Sequence, residues 1–297
     1  MTPIKILVTN QKGGVGKSTI SANLAAFFAL KQGIKTAFID FDKQSSSSNW
    51  LKKAANFGIE IHQAHLQSQN NSGLLLLDAK AALRECSKAA ELVIADLTWT
   101  YTLPPQFLME FDMVIVPSSI SRVEMVSSEI FVLEYLQRSL AIAGKKHQII
   151  IMAPSRIDAG QSTEGIFPFV SANGNCFISP PVEKVSDIDQ YYFGSFLCEA
   201  QDERVAKNFC EFGSYIYEKY CSLIMPVKHI HYGTSKPVSS FIAEQYKSPI
   251  SAAGIQNSAS TSSKMALKNE RLGRKVVDLF IPQFLRAKSS IDSNKGE

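Results

Sequence analysis

The chain alternates between two textures from its first residues. Short, nearly continuous apolar runs closed by a polar or turn residue recur as IKILVTN (4–10), KTAFID (35–40), ELVIAD (91–96), DMVIVP (112–117) and HQIIIMAP (147–154). Runs without strict alternation suit parallel strands buried on both faces. Between them the apolar spacing lengthens to a helical period. In STISANLAAFFALKQG (18–33), Ile20, Leu24, Phe27, Phe28 and Leu30 share a face and Gly33 supplies a stop. Helical texture also covers 74–90 and 121–143, and returns at 202–224 to close the domain. Strand and helix signals in alternation predict an α/β fold, a doubly wound and mainly parallel sheet flanked by helices.

After Pro226 the pattern changes. Residues 227–263 turn to Ser, Ala, Gly and Pro, a linker composition. Residues 264–297 regain a helical period, with Leu272, Val276, Leu279, Phe280 and Phe284 on one side and Pro282 dividing the run. The expected organisation is a nucleotide-binding domain over 1–226, a flexible linker over 227–263 and a basic amphipathic tail over 264–297.

Charge sharpens this division. The net +4 comes from the tail: residues 228–297 carry 11 Lys and Arg against 5 Asp and Glu, whereas residues 1–227 carry 20 against 22. No apolar run approaches the roughly 18 residues of a membrane span. The amino terminus reads as a first strand rather than a signal peptide, and a strand starting at about residue 4 leaves no room for a DNA-reading domain ahead of it. Five cysteines without a C-x-x-C pair fit a reducing, cytoplasmic setting.

The chemistry concentrates at the ends of the runs. NQKGGVGKST (10–19) follows the first strand and opens the first helix, and its G-K-S ending is that of a phosphate-binding P-loop. Backbone N–H groups of such a loop, and the helix dipole behind it, converge on an anion. Gly13, Gly14 and Gly16 permit the backbone path, Lys17 reaches phosphate and Ser18 can hold Mg²⁺. The opening glycine of the ordinary motif is missing, since residue 11 is Gln, and Lys12 is gained. Asp40 and Asp42 close the second strand, on one side if the chain stays extended there, and Asp96 closes the third. Carboxylates on the carboxyl edge of a parallel sheet stand where ligands bind.

NQKGGVGKST resembles the deviant Walker A motif K-G-G-x-G-K-[ST] of the ParA/MinD family of P-loop ATPases. IDFDKQSSSSNWL (39–51) resembles the D-x-D-P-Q switch of the ParA branch, with Lys43 in place of the proline. FDMVIVPSSISRVEMVSSEIFVLEYL (111–136) resembles the segment after Walker B, and the similarity extends over about residues 3–225. The resemblance implies ATP and Mg²⁺ as cofactors. ATP would be bound by Lys12, Gly13, Gly14, Val15, Gly16, Lys17, Ser18 and Thr19, and Mg²⁺ supported by Ser18, Asp40 and Asp96. Catalysis would fall to Lys12, Lys17 and Asp42, with Asp42 orienting the attacking water and Lys12 crossing an ATP-dependent homodimer to the partner's nucleotide. MAPSR (152–156) stands where relatives often carry an adenine-contacting asparagine.

The implied function is an ATP-dependent dimerisation switch that binds DNA nonspecifically in plasmid or replicon partitioning, is nucleoid-associated, and is triggered to hydrolyse by a ParB-like adaptor. DNA contacts would come from the tail or from Arg204, Lys207 and Lys219. The alternative is a MinD-like or polar positioning ATPase acting on a membrane or protein scaffold through residues 264–288. Iron–sulfur relatives are excluded because no cysteine lies between 87 and 175. A His229–His231 pair lacks further ligands at metal-site spacing.

Overall fold

The structure is a computed structural model that describes residues 2–53, 57–66, 72–100, 103–136, 148–168, 170, 176–192 and 194–224. All of these fall within one compact unit, Met1–His229. The linker, the tail helix and the His229–His231 pair lie outside the described residues.

The five apolar runs form strands β1 (Ile4–Asn10), β2 (Thr36–Asp40), β4 (Leu92–Thr98), β5 (Met113–Ser118) and β6 (Ile149–Ile157). Three shorter strands join them: β3 (Glu60–Gln63), β7 (Cys176–Ile178) and β8 (Val182–Glu183). The sheet order is β3-β2-β4-β1-β5-β6-β7, with β8 against the end of β6 and every pair parallel. β1 is central, and the chain winds outward from it first to one side and then, after β4, to the other. That reversal opens a crevice at the carboxyl edge beside β1.

Both faces of the sheet are buried, and neighbours along a strand serve different layers. Ile6 and Val8 of β1 pack into one core with Phe27 and Phe28 of α1 (Lys17–Gln32) and Phe209, Phe212 and Ile216 of α6 (Glu203–Ile224). Leu7 between them joins the opposite core, with Leu75 and Leu83 of α3 (Ser72–Cys86) and with Phe107 and Phe111 at a 3₁₀ turn over Pro105–Glu110. Covering both faces removes any reason for polar alternation, which is why the strands read as continuous apolar runs. At one point the helices nearly touch: a Cβ built on Gly213 of α6 would lie 2.7 Å from Cγ of Phe27.

The helices differ from the sequence pattern in four places. The segment expected at 74–90 runs Ser72–Cys86. Of the segment expected at 121–143, the described residues are α-helical over Arg122–Ile130 (α4) and widen into a π-helical turn over Phe131–Leu136, and residues 137–143 lie outside the described residues. A helix α2 (Ser46–Lys53) forms in the serine-rich stretch, and a short α5 (Ile188–Tyr192) precedes α6. Gly33 terminates α1 in the left-handed conformation, its N–H donating to the Phe28 carbonyl. The five cysteines are free thiols, and burial pushes Cys86 and Cys198 up to about 12, which leaves them inert.

Candidate functional site

The carboxyl ends of β1, β2, β4 and β6 and the start of α1 surround a cleft of about 550 Å³. Its floor is the loop 10–19. Gly14 (φ 72°) and Gly16 (φ 86°) take left-handed backbone, a conformation that a side chain disfavours, whereas Gly13 does not. Ile20 N–H donates to the Gly16 carbonyl at 2.9 Å, so α1 starts at the last glycine with its amino end toward the cleft. Asn10 braces the loop from below: its amide donates to the Pro117 carbonyl (2.7 Å) and the Ser128 hydroxyl (2.9 Å), and its Oδ1 accepts from Lys12 N–H (3.0 Å). From β6, the Ser155 hydroxyl donates to the Val15 carbonyl at 2.7 Å. An anchored loop loses little freedom when it closes on an anion.

The two lysines of this loop take opposite environments. Lys17 is 6% exposed, and its Nζ donates to the Lys12 carbonyl at 3.0 Å. Burial lowers its pKa, against the pull of the Asp42 and Asp96 carboxylates, which raise it. Lys12 is exposed, and its side chain is not among those lining the cleft. Gly13, Gly14, Gly16, Lys17, Ser18 and Thr19 line it, while Val15 is buried behind the loop.

The three aspartates are brought together but differ in role. Asp40 and Asp96 are fully buried register partners on β2 and β4. Asp40 is saturated: it accepts from Asp42 N–H (3.0 Å), the Ser47 hydroxyl (2.7 Å) and Ser48 N–H (3.0 Å). It thereby binds the amino end of α2, which has no acidic residue in its own first turn. Asp42 does not share its side. The chain leaves the strand after Asp40, and Asp42 lines the cleft, where Thr98 holds it by N–H and hydroxyl, each at 2.7 Å.

Asp96 is the unusual group. Neither carboxylate oxygen has a hydrogen-bonding partner. Burial pushes its carboxyl up to about 7; the nearby Ser47 hydroxyl draws it back, Asp42 and Asp40 push it further up, and Ser18 offsets part of that. Ser47 relieves little, because its proton is committed to Asp40. A buried carboxylate without donors invites a cation or the water shell of one. Among the described residues no group of three or more His, Cys, Asp and Glu forms a metal cage. A serine hydroxyl and buried carboxylates are oxygen donors of the kind that Mg²⁺ takes alongside waters and substrate phosphates. Ser18 lines the cleft and Asp96 is buried behind it, positions from which both could support such an ion, whereas the oxygens of Asp40 already accept three hydrogen bonds.

The outer wall of the cleft was legible in the sequence only at 152–156. It comprises Thr98, Ser155, Arg156 and the segment Val182–Ser186 with Ile188 and Leu197. Arg156 has a left-handed backbone (φ 57°) at the register irregularity where β6 meets β8. Such a conformation costs on the order of 1–3 kcal/mol in a side-chain-bearing residue. Its Nη2 donates to Glu124 Oε2 at 2.9 Å, and the Ser119 hydroxyl donates to the same oxygen. The Ser119 bond, more than Arg156, lowers the Glu124 pKa. β8, two residues long, gives no readable strand signal, yet it completes this wall.

Of the cations considered for DNA, Arg204 and Lys207 are exposed on the first turns of α6, Arg204 with its Nε 3.6 Å from Glu183 Oε2. Lys219 is not a free contact: its Nζ lies over the rings of Phe177 (4.7 Å) and Tyr215 (5.1 Å), and its side chain is 19% exposed.

A family model described as the CobQ/CobB/MinD/ParA nucleotide binding domain matches residues 6–294, further than the similarity read to about residue 225. Maintenance of carboxysome distribution protein A from Gloeobacter kilaueensis is 33% identical over 102 residues, covering 32% of this chain and 46% of that protein. The chain thus spans less than half the length of that curated relative. Among solved structures, McdA from Cyanothece in complex with ATP superposes with a TM-score of 0.59 at 19% identity, covering 73% of this chain and 98% of that one. A plasmid partition protein from Borrelia burgdorferi bound to AMPPNP superposes with a TM-score of 0.54 at 15% identity, covering 73% and 99%. At these identities the likeness is one of fold.

Proposed function

The chain belongs to the CobQ/CobB/MinD/ParA nucleotide-binding family, and from that premise we propose that it is a ParA-type ATPase whose ATP-bound form dimerises and holds DNA without regard to sequence. The observation that carries this reading is the divided loop, with Lys17 buried toward Asp42 and Asp96 and Lys12 exposed outside the cleft. One lysine serves the chain's own phosphates. The other is free to serve a nucleotide held by a second copy, as an arginine supplied in trans does in other phosphoryl-transfer enzymes.

Within one subunit, the loop N–H groups and the amino end of α1 bind the triphosphate, and Lys17 offsets its charge. Asp42, held by two bonds to Thr98, orients the attacking water. Mg²⁺, when bound, supplies electrostatic stabilisation of the transferring phosphoryl group. Ser18 and Asp96 are its supports. Arg204 and Lys207 offer cations to a phosphate backbone, and the basic tail of residues 264–297 offers more. The cargo in this reading is a plasmid or other replicon, and a partner protein stimulates hydrolysis and release.

The test is binding to a labelled duplex of arbitrary sequence with ATP or ADP and Mg²⁺ across a salt series. Binding specific to ATP that falls steeply with salt supports the reading. Equal or absent binding in both nucleotide states refutes the DNA part. Retention on anionic liposomes, lost on removing residues 264–297, would then favour a positioning ATPase on a membrane.

A further inference from the structure

Helix α2 has little reason to be helical on its own. Its sequence, SSSNWLKK, opens on three serines and an asparagine, residues that favour caps and turns over helix interiors. It is also far shorter than the roughly 12–15 residues an isolated helix needs in water. Its form therefore comes from what it is fastened to. At its start Asp40 accepts from the Ser47 hydroxyl and Ser48 N–H, and Gln63 Nε2 donates to the Ser48 hydroxyl at 2.7 Å. Further on, Trp50 is 3% exposed and donates from Nε1 to the Ser195 carbonyl at 3.1 Å. Its ring packs against Tyr192 of α5 with centroids 5.3 Å apart, and the Tyr192 hydroxyl donates back to the Ser46 carbonyl at 3.3 Å. Two hydrogen bonds and a ring contact thus clasp α2 to chain that lies 145 residues away in sequence.

The clasp adjoins a strained link. Between Asp42 and α2 the chain makes a tight turn, closed by Ser45 N–H donating to the Asp42 carbonyl at 3.0 Å. Ser45 is buried there with a left-handed backbone (φ 53°), although it is not glycine. Such a conformation persists only where the surroundings over-determine it. Here the surroundings are α2 itself: Asn49 N–H and the Ser48 hydroxyl donate to the Ser45 carbonyl at 2.9 and 3.1 Å. The turn keeps its shape while α2 keeps its place. At the other end of the turn Asp42 enters the cleft, which Ser46 and Ile188 also line, whereas Trp50 and Tyr192 do not.

We infer that Trp50 and Tyr192 are positioning residues for Asp42, an aromatic clasp that keeps the strained Asp42–Ser45 turn in its hydrolytic geometry. This rests on the reading of Asp42 as the residue that orients the attacking water. The clasp governs rate rather than binding, because the phosphate loop has its own braces in Asn10 and Ser155. A displacement of about 1 Å at a reacting group is enough to cost up to about 100-fold in rate.

The experiment compares single-turnover ATP hydrolysis by the full chain with its affinity for the non-hydrolysable analogue AMPPNP in calorimetric titration. The variants are Trp50→Phe, Tyr192→Phe, Ser45→Gly, Asp42→Ala and the pair Tyr192→Phe with Ser45→Gly. Trp50→Phe and Tyr192→Phe each delete one bond and keep a ring. Each is expected to slow hydrolysis about 3- to 30-fold while AMPPNP affinity stays within about twofold. Ser45→Gly in the Tyr192→Phe chain should return the rate to within about threefold of the parent, since glycine adopts φ 53° without the clasp. A general loss of packing would not be repaired by a glycine. Unchanged hydrolysis in both single variants overturns the proposal. So does a parallel loss of AMPPNP affinity, or a Tyr192→Phe defect that Ser45→Gly leaves as it was. Failure of the underlying reading looks different and removes the clasp's role with it: the unmodified chain hydrolyses no ATP, or Asp42→Ala hydrolyses it as fast as the parent.

Discussion

Asp96→Asn should make the nucleotide-free protein more stable while removing its activity. The carboxyl is fully buried, its oxygens have no hydrogen-bonding partner, and its pKa is pushed from an ordinary 3.8 up to about 7. A raised folded-state pKa means the folded protein holds the proton more tightly than the unfolded chain. The associated stability is therefore full below about pH 4 and is lost as pH rises through 7. Moving the carboxyl from 3.8 to about 7 corresponds to a loss on the order of 4 kcal/mol by pH 8. Asparagine keeps the shape, carries no charge at any pH and brings two N–H donors. Urea denaturation of both proteins in EDTA without nucleotide, at pH 5, 6, 7 and 8, measures the effect. The midpoint gap should widen from pH 5 to pH 7 in favour of Asp96→Asn and level off by pH 8. A gap that is the same at pH 5 and pH 8, or a variant less stable than the parent at pH 8, would refute an ionised and unpartnered Asp96. ATP hydrolysis by the variant should fall to background, so stability and function trade against each other at one atom group.

Four further outcomes follow from the geometry. Lys12→Ala should leave binding of ATP to the monomer within a few-fold but abolish ATP-dependent dimerisation in light scattering, because its side chain does not line the cleft. Lys17→Ala should lose nucleotide binding itself, measured by equilibrium titration, since this is the buried cation of the loop. Thr98→Val removes one of the two bonds that hold Asp42 and keeps the backbone one, so single-turnover hydrolysis should slow about 10-fold or more with ATP affinity preserved. Gly213→Ala places a Cβ 2.7–2.8 Å from three ring carbons of the buried Phe27, so it should cost about 1–3 kcal/mol in urea denaturation. Phe27→Leu in the same chain should recover part of that loss.

Local signals in the sequence determined the five long strands, the phosphate loop and most of α1 and α6, but not the short β3, β7 and β8. A strand buried on both faces must be apolar throughout, a loop that reverses around an anion needs glycine at left-handed positions, and a helix against a sheet repeats its apolar face. Each demand is met within a few neighbouring residues, so it is written in consecutive letters. The roles of the three aspartates were not legible in this way. Asp40, Asp42 and Asp96 look alike at strand ends, and they differ because Asp40 meets the start of α2, Asp42 meets Thr98 56 residues away, and Asp96 meets no donor. The brace of Asn10 on Ser128, 118 residues on, and the bulge that turns out Arg156 are likewise products of strand neighbours. Lys219 reads as a surface cation in the sequence and becomes a ring-capping one only when β7 is laid beside it. Contacts between distant residues depend on the order of strands in the sheet, and that order is settled by how the whole chain buries its apolar faces.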